Sequence, residues 1–599
     1  MYLKDIKKYK SERPSFKPAL SRLMAKKVIG AFISMTLLFR FALHAQDPLP
    51  QNYFINPLDI PISLAGTFGE IRSNHYHTGI DIRTESREGL IVHAAANGYV
   101  SRIVVSPWGY GNALYVTHPN GYITLYGHLS RFNDTITHFV KNRQYAEEKY
   151  LQDISLTSGK FNVNQGDTIA FSGSTGSTEG PHLHFEIRDA RNDDPINPLL
   201  AGYTSVDKLP PIIESVALYP LNDSSNINGK HQPLYLKVKK INNRYVLASD
   251  SAISAYGSIG AGISCYDMAN GVGNHNGPYI KILKDNNDTI YYSRMDVLNF
   301  ATIHYVNGHV DYAAMNDEGD ILEYSFLQEN DKLKIYKKLV NRGYIDCKPG
   351  ETHALEYIIS DFNGNTSKLA FTIHDEKTKP AAYHDTTKYV AIAHWDKPFE
   401  YSDKGMKIEI PAGILFNTLH FHYTVTPTLI NHTGVSNIYN IQDENTPLSG
   451  TYTLMLKPAA TLPDSVMRRA VIVRVEGKRR ISIGGKWDSG YMIAHPKTFG
   501  SYAIMLDLYH PVIKPVNIFK DKDMSHDSLM AFEVSDNLSG ISSFRGTVDG
   551  KWILMEFNPK KNWVYYVFDE HVGKGKHHLR LWVSDEVGNT SVFETEFTR

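Results

Sequence analysis

Three short segments carry side chains able to hold a metal ion and to move protons. They are His77-Thr78-Gly79-Ile80-Asp81, Tyr126-Gly127-His128-Leu129 and Gly180-Pro181-His182-Leu183-His184-Phe185-Glu186-Ile187. On an extended strand side chains alternate between faces, so His77 and Asp81 share a side, and so do His182 and His184. Imidazole nitrogen and carboxylate oxygen are zinc donors, and two histidines with one carboxylate leave a fourth position open. Five such groups exceed the three that a hydrolytic zinc needs. A peptidase has a use for the surplus: the attacking water must lose a proton near neutral pH, and the oxyanion needs a donor besides the metal. Neither spacing is specific alone among 26 histidines; together they are far stronger. His75, His93, His118 and His138 stand in no such frame and read as surface or packing residues. Glu186 shares a face with His184 and reads equally as its support or as a polar strand position, so it is left out of the site.

The elements that must position these residues are short strands punctuated by glycine, from about Asn52 to Tyr203. Gly89–Val92, Gly98–Val100 and Ala113–Val116 are followed by Asn120-Gly121, a hairpin signal, and Tyr122–Tyr126. This predicts an antiparallel β domain, 46–206. The glycine-rich stretch Ser172–Pro181 reads as a loop that delivers His182 to a cleft. Between Arg131 and Phe161 the pattern changes; Asn142–Leu151 has the composition of a helix, which marks a helical insertion.

The remaining sequence is β-rich, and 599 residues exceed one hydrophobic core. Pro210-Pro211 marks a linker. Ser360-Asp361-Phe362-Asn363-Gly364-Asn365-Thr366-Ser367 is matched by Ser584-Asp585-Glu586-Val587-Gly588-Asn589-Thr590-Ser591, and Asp267–Val272 by Asp536–Ile541. Two copies of one immunoglobulin-like β-sandwich module are expected, 207–376 and 510–599, around a β domain of unread role, 377–509. The first copy carries an insertion, because many more residues separate Asp267 from Asp361 than Asp536 from Asp585. The loop Asp267–Gly277 lacks the spaced carboxylates and closing Glu of a calcium loop and is read as turn chemistry.

Lysine plus arginine balance aspartate plus glutamate at 63 each, so no net field collects phosphates and nucleic acid is not an expected partner. Cys265 and Cys347 lie far from the histidine segments; a disulfide and two buried thiols both stay open. Lys26 and Lys27 precede the apolar run Val28–Phe39, with small Ala42 and Ala45 after it. That reads as an export signal over 1–45, with Met24 as an alternative start, and places the chain in the periplasm or cell envelope.

Phe68-Gly69, His77–Ile82, Gly109–Asn112, Tyr126–Ser130 and Gly176–Glu186 follow one another in an order that resembles the lysostaphin-type (LytM-like) zinc metallopeptidases, which hydrolyse peptidoglycan peptides. The resemblance covers about Gly66 to Leu200. It implies that His77, Asp81 and His184 hold one Zn2+, and that His128 and His182 flank it as catalytic histidines. How those two divide proton transfer and oxyanion stabilisation stays open. The insertion after His128 and the short segment between Phe68 and His77 depart from the family pattern where the family's cleft is bordered. They bear on substrate preference, and the insertion is a candidate lid. Some relatives have lost ligands and act only by activating a separate amidase; here all five positions are intact. The alternative is a catalytically silent scaffold that recruits or activates another cell-wall hydrolase, its β modules engaging envelope partners.

Overall fold

Alternation of apolar and polar residues builds the sheet that carries the site. In the computed structural model, β1 (Leu64–Gly66), β2 (Ile80–Arg83), β3 (Gly98–Val105), β4 (Asn112–Thr117) and β5 (Tyr122–Leu129) precede helix α1 (Asp134–Glu147), β6 (Gln152–Ser155) and β7 (His182–Asp189). The sheet order is β1-β2-β7-β5-β4-β3-β6, and these pairings are all antiparallel. Ile80 and Ile82 on β2 and Leu183, Phe185 and Ile187 on β7 are fully buried on one face. Their neighbours Asp81, His182, His184 and Glu186 are thereby turned to the other. Residues 49–599 are described except 73, 204–206, 270–272, 377–382, 384–387 and 428–432. The expected export segment, 1–45, and Asn270, Gly271 and Val272 of the repeat lie outside the described residues.

The insertion differs from its expected form. Its helix starts at Asp134, eight residues before the stretch of helical composition, because the Asn133 side chain caps the Ile136 N–H. It ends at Glu148, which takes a left-handed conformation, so Lys149–Leu151 lie beyond it. Gln152–Ser155 then joins the main sheet by pairing with β3. The insertion is thus a helix followed by an edge strand.

From Ile212 to Asp375 the strands form one twelve-stranded network around a core that includes Val216, Ile263, Tyr357 and Ile373. From Val512 to Thr598 a four-stranded and a five-stranded sheet enclose Met530, Phe532, Leu581 and Phe597. Two five-stranded sheets between them enclose Ile408, Leu454, Tyr502 and Ile504. The extra length of the first module has a use: Met295, Leu298, Tyr305 and Val306 pack with Phe68 and Tyr76, which lead into His77. Both cysteines are free thiols. Among the described residues no helix is long and apolar enough to cross a membrane.

Candidate metal centre

Cross-strand register brings the first two donors together. His184 of β7 stands opposite Asp81 of β2 on one side and Gly127 of β5 on the other. A Cβ on Gly127 would sit 3.3 Å from the Cβ of His184, so glycine leaves room for the imidazole. His77 arrives differently from the expected single strand: it lies in the turn between His75–Tyr76 and β2. Its N–H bonds the Glu70 carbonyl at 2.8 Å and its carbonyl accepts from Gly69 N–H at 2.9 Å. Gly79 makes the turn possible, since a Cβ there would meet the Phe185 carbonyl at 2.4 Å.

The three donor atoms converge. His77 Nε2 is 3.0 Å from His184 Nδ1, Asp81 Oδ1 is 2.9 Å from His184 Nδ1, and His77 Nε2 is 3.1 Å from Asp81 Oδ1. All three residues are buried. Their outer atoms fix which inner atoms carry lone pairs. His77 Nδ1 lies 2.8 Å from the Thr67 carbonyl, which can only accept, so Nδ1 holds the proton and Nε2 the lone pair. His184 Nε2 donates to Glu186 Oε1 at 2.8 Å, which leaves Nδ1 facing Asp81. Asp81 Oδ2 accepts from Arg72 Nη2 at 2.9 Å. Two imidazole lone pairs and a carboxylate oxygen around one point repel unless a cation lies among them. Donors about 2.1 Å from a tetrahedral zinc stand about 3.4 Å apart, within a few tenths of an ångström of this triangle, so the set fits zinc.

The electrostatics agree. Burial opposes ionisation of Asp81, but His77, His182 and His184 hold its carboxyl well below the usual range. Burial also opposes charge on His184, yet Asp81 and Glu186 raise it to about 9. The pocket therefore calls for one positive charge at this point, and a metal ion meets the same demand as a proton. Behind it, Glu186 is held far below the usual carboxylate range by Arg188 and His184 against burial. Glu186 also accepts from Thr78 Oγ1 at 2.6 Å and Arg188 Nε at 2.6 Å. Sequence reasoning left Glu186 out, although its place two residues beyond His184 on one strand was the available signal. Arg72 and the Thr67 carbonyl carried no such signal.

His128 reaches the site through an irregularity. Opposite Ala113 on β4, β5 supplies two residues, Gly127 and His128, because the register shifts between Asn112↔Leu129 and Leu114↔Tyr126. His128 has φ 59°, and the bulge turns its ring onto the face of His184. The ring centroids of His128 and His182 are 4.7 Å apart, and those of His128 and His184 are 5.8 Å apart. Each outer histidine is fixed by a backbone carbonyl: His128 Nδ1 by Thr175 at 2.8 Å and His182 Nδ1 by Gly180 at 3.0 Å. Their Nε2 atoms are left for chemistry, that of His182 3.3 Å from Asp81 Oδ1. Burial first, then His184 and His182, push His128 down to about 3, so it is neutral at neutral pH. The five expected residues are thus gathered in one place. His118 bonds the Asn97 carbonyl and Thr124, and His93 bonds Asp59, both away from it.

Residues 75–146 and 145–198 match peptidase family M23, and 390–507 match a Zu5-like domain. The DD-carboxypeptidase/endopeptidase Mpg of Neisseria meningitidis is 37% identical over 123 residues, 20% of this chain and 22% of that protein. An uncharacterized metalloprotease of Haemophilus influenzae is 30% identical over 130 residues, 22% of each chain. The peptidoglycan DD-endopeptidase ShyC of Vibrio cholerae is 32% identical over 127 residues, 21% of this chain and 23% of that one. The chain thus spans about a fifth of the length of these relatives, all within one domain. The segment that carries the five residues is an M23 peptidase domain.

Proposed function

We propose that this chain is an exported zinc-dependent endopeptidase that hydrolyses peptide bonds in bacterial peptidoglycan, in the periplasm or cell envelope. The observation that carries the reading is three metal donors 2.9 to 3.1 Å apart, with two further histidines turned toward them. The relatives named for DD-endopeptidase activity match this domain and support a peptidoglycan peptide as substrate.

His77, Asp81 and His184 would hold one Zn2+. Bound there, the ion supplies Lewis acidity that polarises a peptide carbonyl and acidifies water. His128, neutral and with Nε2 unprotonated, accepts the proton of the attacking water. His182, whose Nδ1 proton is spent on the Gly180 carbonyl, then faces the oxygen of the attacked carbonyl and hydrogen-bonds it from Nε2 in its doubly protonated form as charge develops. Glu186 and Thr67 hold the two ligand imidazoles in the tautomers that present lone pairs inward.

Digestion of purified peptidoglycan, with mass spectrometry of the released muropeptides, tests the reading. New peptide ends from the wild type, and none from His182→Ala that still binds zinc, are expected. Stoichiometric zinc with no cleavage would instead favour a silent scaffold that recruits another hydrolase.

A further inference from the structure

Carboxylates cluster at matching places in the two β modules. Asp207, Asp267 and Asp361 meet in the first and Asp507, Asp536 and Asp585 in the second, with oxygens within 4.8 Å of one another. The surroundings repeat too. The Asn365 amide donates to Asp361 at 2.7 Å and to the Asp207 carbonyl at 3.2 Å. Asn589 does the same to Asp585 at 2.7 Å and to the Asp507 carbonyl at 3.1 Å.

Those bonds account for Asp361 and Asp585 but not for Asp267. Asp267 is only 6% exposed, and its Oδ1 has no hydrogen-bond partner. The matching Oδ1 of Asp536 is likewise buried and unpartnered. A pocket of about 30 Å³ is lined by Asp207, Asp267 and Asp361 together with Thr67, Phe68 and Asn197 of the peptidase domain. No basic side chain lines it among the described residues. Apart from a hydrogen bond with the Met268 backbone, the Asp267 carboxylate has no compensating partner, and burying it beside two others is strongly unfavourable. Burial, then Asp361 and Asp207, push Asp267 up to about 7. A buried, unsatisfied oxygen within a cluster of like charges calls for a cation.

We propose that Asp207, Asp267 and Asp361 bind one calcium ion at the joint between the peptidase domain and the first module. All three donors are hard oxygens, with no imidazole or thiolate to select zinc. Magnesium demands near-ideal octahedral geometry, whereas calcium accepts irregular carboxylate sets. Asp361 accepts from the side-chain and backbone N–H groups of Asn365 and from the Gly364 backbone N–H, which leaves one of its four lone pairs. The loop alone did not reveal this site in the sequence, because the partners of Asp267 come from 60 residues before it and 94 after it (267 − 207 and 361 − 267). The ion would brace the metal centre as well. Asp267 exchanges both backbone hydrogen bonds with Asn276 at 2.8 Å, and adjacent Gly277 bonds the hydroxyl of Thr67, whose carbonyl fixes His77.

The test takes the full chain, stripped of divalent ions and reloaded with one equivalent of zinc, and titrates it with calcium chloride. Equilibrium dialysis with radioactive calcium and thermal unfolding are read together. The wild type should bind calcium and its Tm should rise with calcium concentration. Asp267→Asn should bind at least about tenfold more weakly and lose the Tm response. In calcium-free buffer that variant should melt no lower than the wild type, because it removes repulsion, and this separates a lost ligand from a damaged fold. Asp536→Asn should keep the binding that depends on Asp267. His184→Ala should lose zinc but keep calcium, so the peptidase reading and this one fail separately. Equal calcium responses of wild type and Asp267→Asn, a lower calcium-free Tm for the variant, or an equal response to magnesium chloride would overturn the assignment.

Discussion

The two sides of the cleft are built by different means. His77, Asp81 and His184 are buried, and each is fixed by a partner with one possible role: the Thr67 carbonyl, the Arg72 guanidinium and the Glu186 carboxylate. The first module braces this side through the packing of Phe68 and Tyr76. His128 and His182 instead hang from backbone carbonyls, and a bulge and a glycine-rich loop aim them. The second module borders that side: Lys560 Nζ donates to the Ser174 carbonyl at 2.6 Å, and Phe557 lies 6.0 Å from Trp108. Where an ion must be held, charge and burial set the geometry; where protons must move, backbone shape sets it.

The largest separation of the two sides should come from comparing His184→Ala with His128→Ala. The first should lose zinc, read by metal analysis, and all cleavage of peptidoglycan. The second should keep stoichiometric zinc and slow turnover by about 10²- to 10⁴-fold. Next in size is Glu186→Gln, which leaves the shape but weakens the acceptor behind His184. Zinc affinity should fall about 10- to 100-fold in chelator competition.

Acid should act on the second side through His128. Its folded pKa is depressed to about 3 by burial and by His184 and His182. The unfolded value is about 6.5, so between the two the unfolded chain binds a proton that the folded chain refuses. The contribution of a neutral His128 is therefore whole above about pH 6.5 and lost as pH falls toward 3. Metal-free wild type should lose more stability than metal-free His128→Gln from about pH 7 to about pH 4, in urea melts at each pH.

The smallest effect belongs to the insertion. Tyr145 stacks on His571 at 3.6 Å and donates to Asp569 at 2.6 Å, and Lys141 pairs with Glu570 at 2.7 Å. These contacts tie α1 to the second module. Tyr145→Ala should cost about 1 kcal/mol in the unfolding of that module, with cleavage within about threefold of wild type.

Much of the site was legible because it follows strand periodicity: β7 presents His182 and His184 on one face, as alternation requires. His77 was grouped correctly for the wrong reason, since a turn and not a strand brings it to Asp81. His128 could not be placed by alternation, because the bulge opposite Ala113 breaks the period that such reasoning uses. The start of α1 was missed because Thr135, Ile136 and Thr137 have weak helix propensity, and the Asn133 cap with packing of Ile136 and Val140 decides the outcome. The matching Asp–Asn turns of the two β modules were legible, and they make the same contacts in both. The way the first one packs its insertion against Phe68 was not, since contacts so remote in sequence leave no local pattern.

The most direct test is anomalous diffraction at the zinc edge on crystals of the full chain. The account predicts one peak about 2.0 to 2.2 Å from His77 Nε2, Asp81 Oδ1 and His184 Nδ1, with neither His128 nor His182 coordinating. A peak elsewhere, or a fully loaded protein with no density among those three atoms, would contradict it.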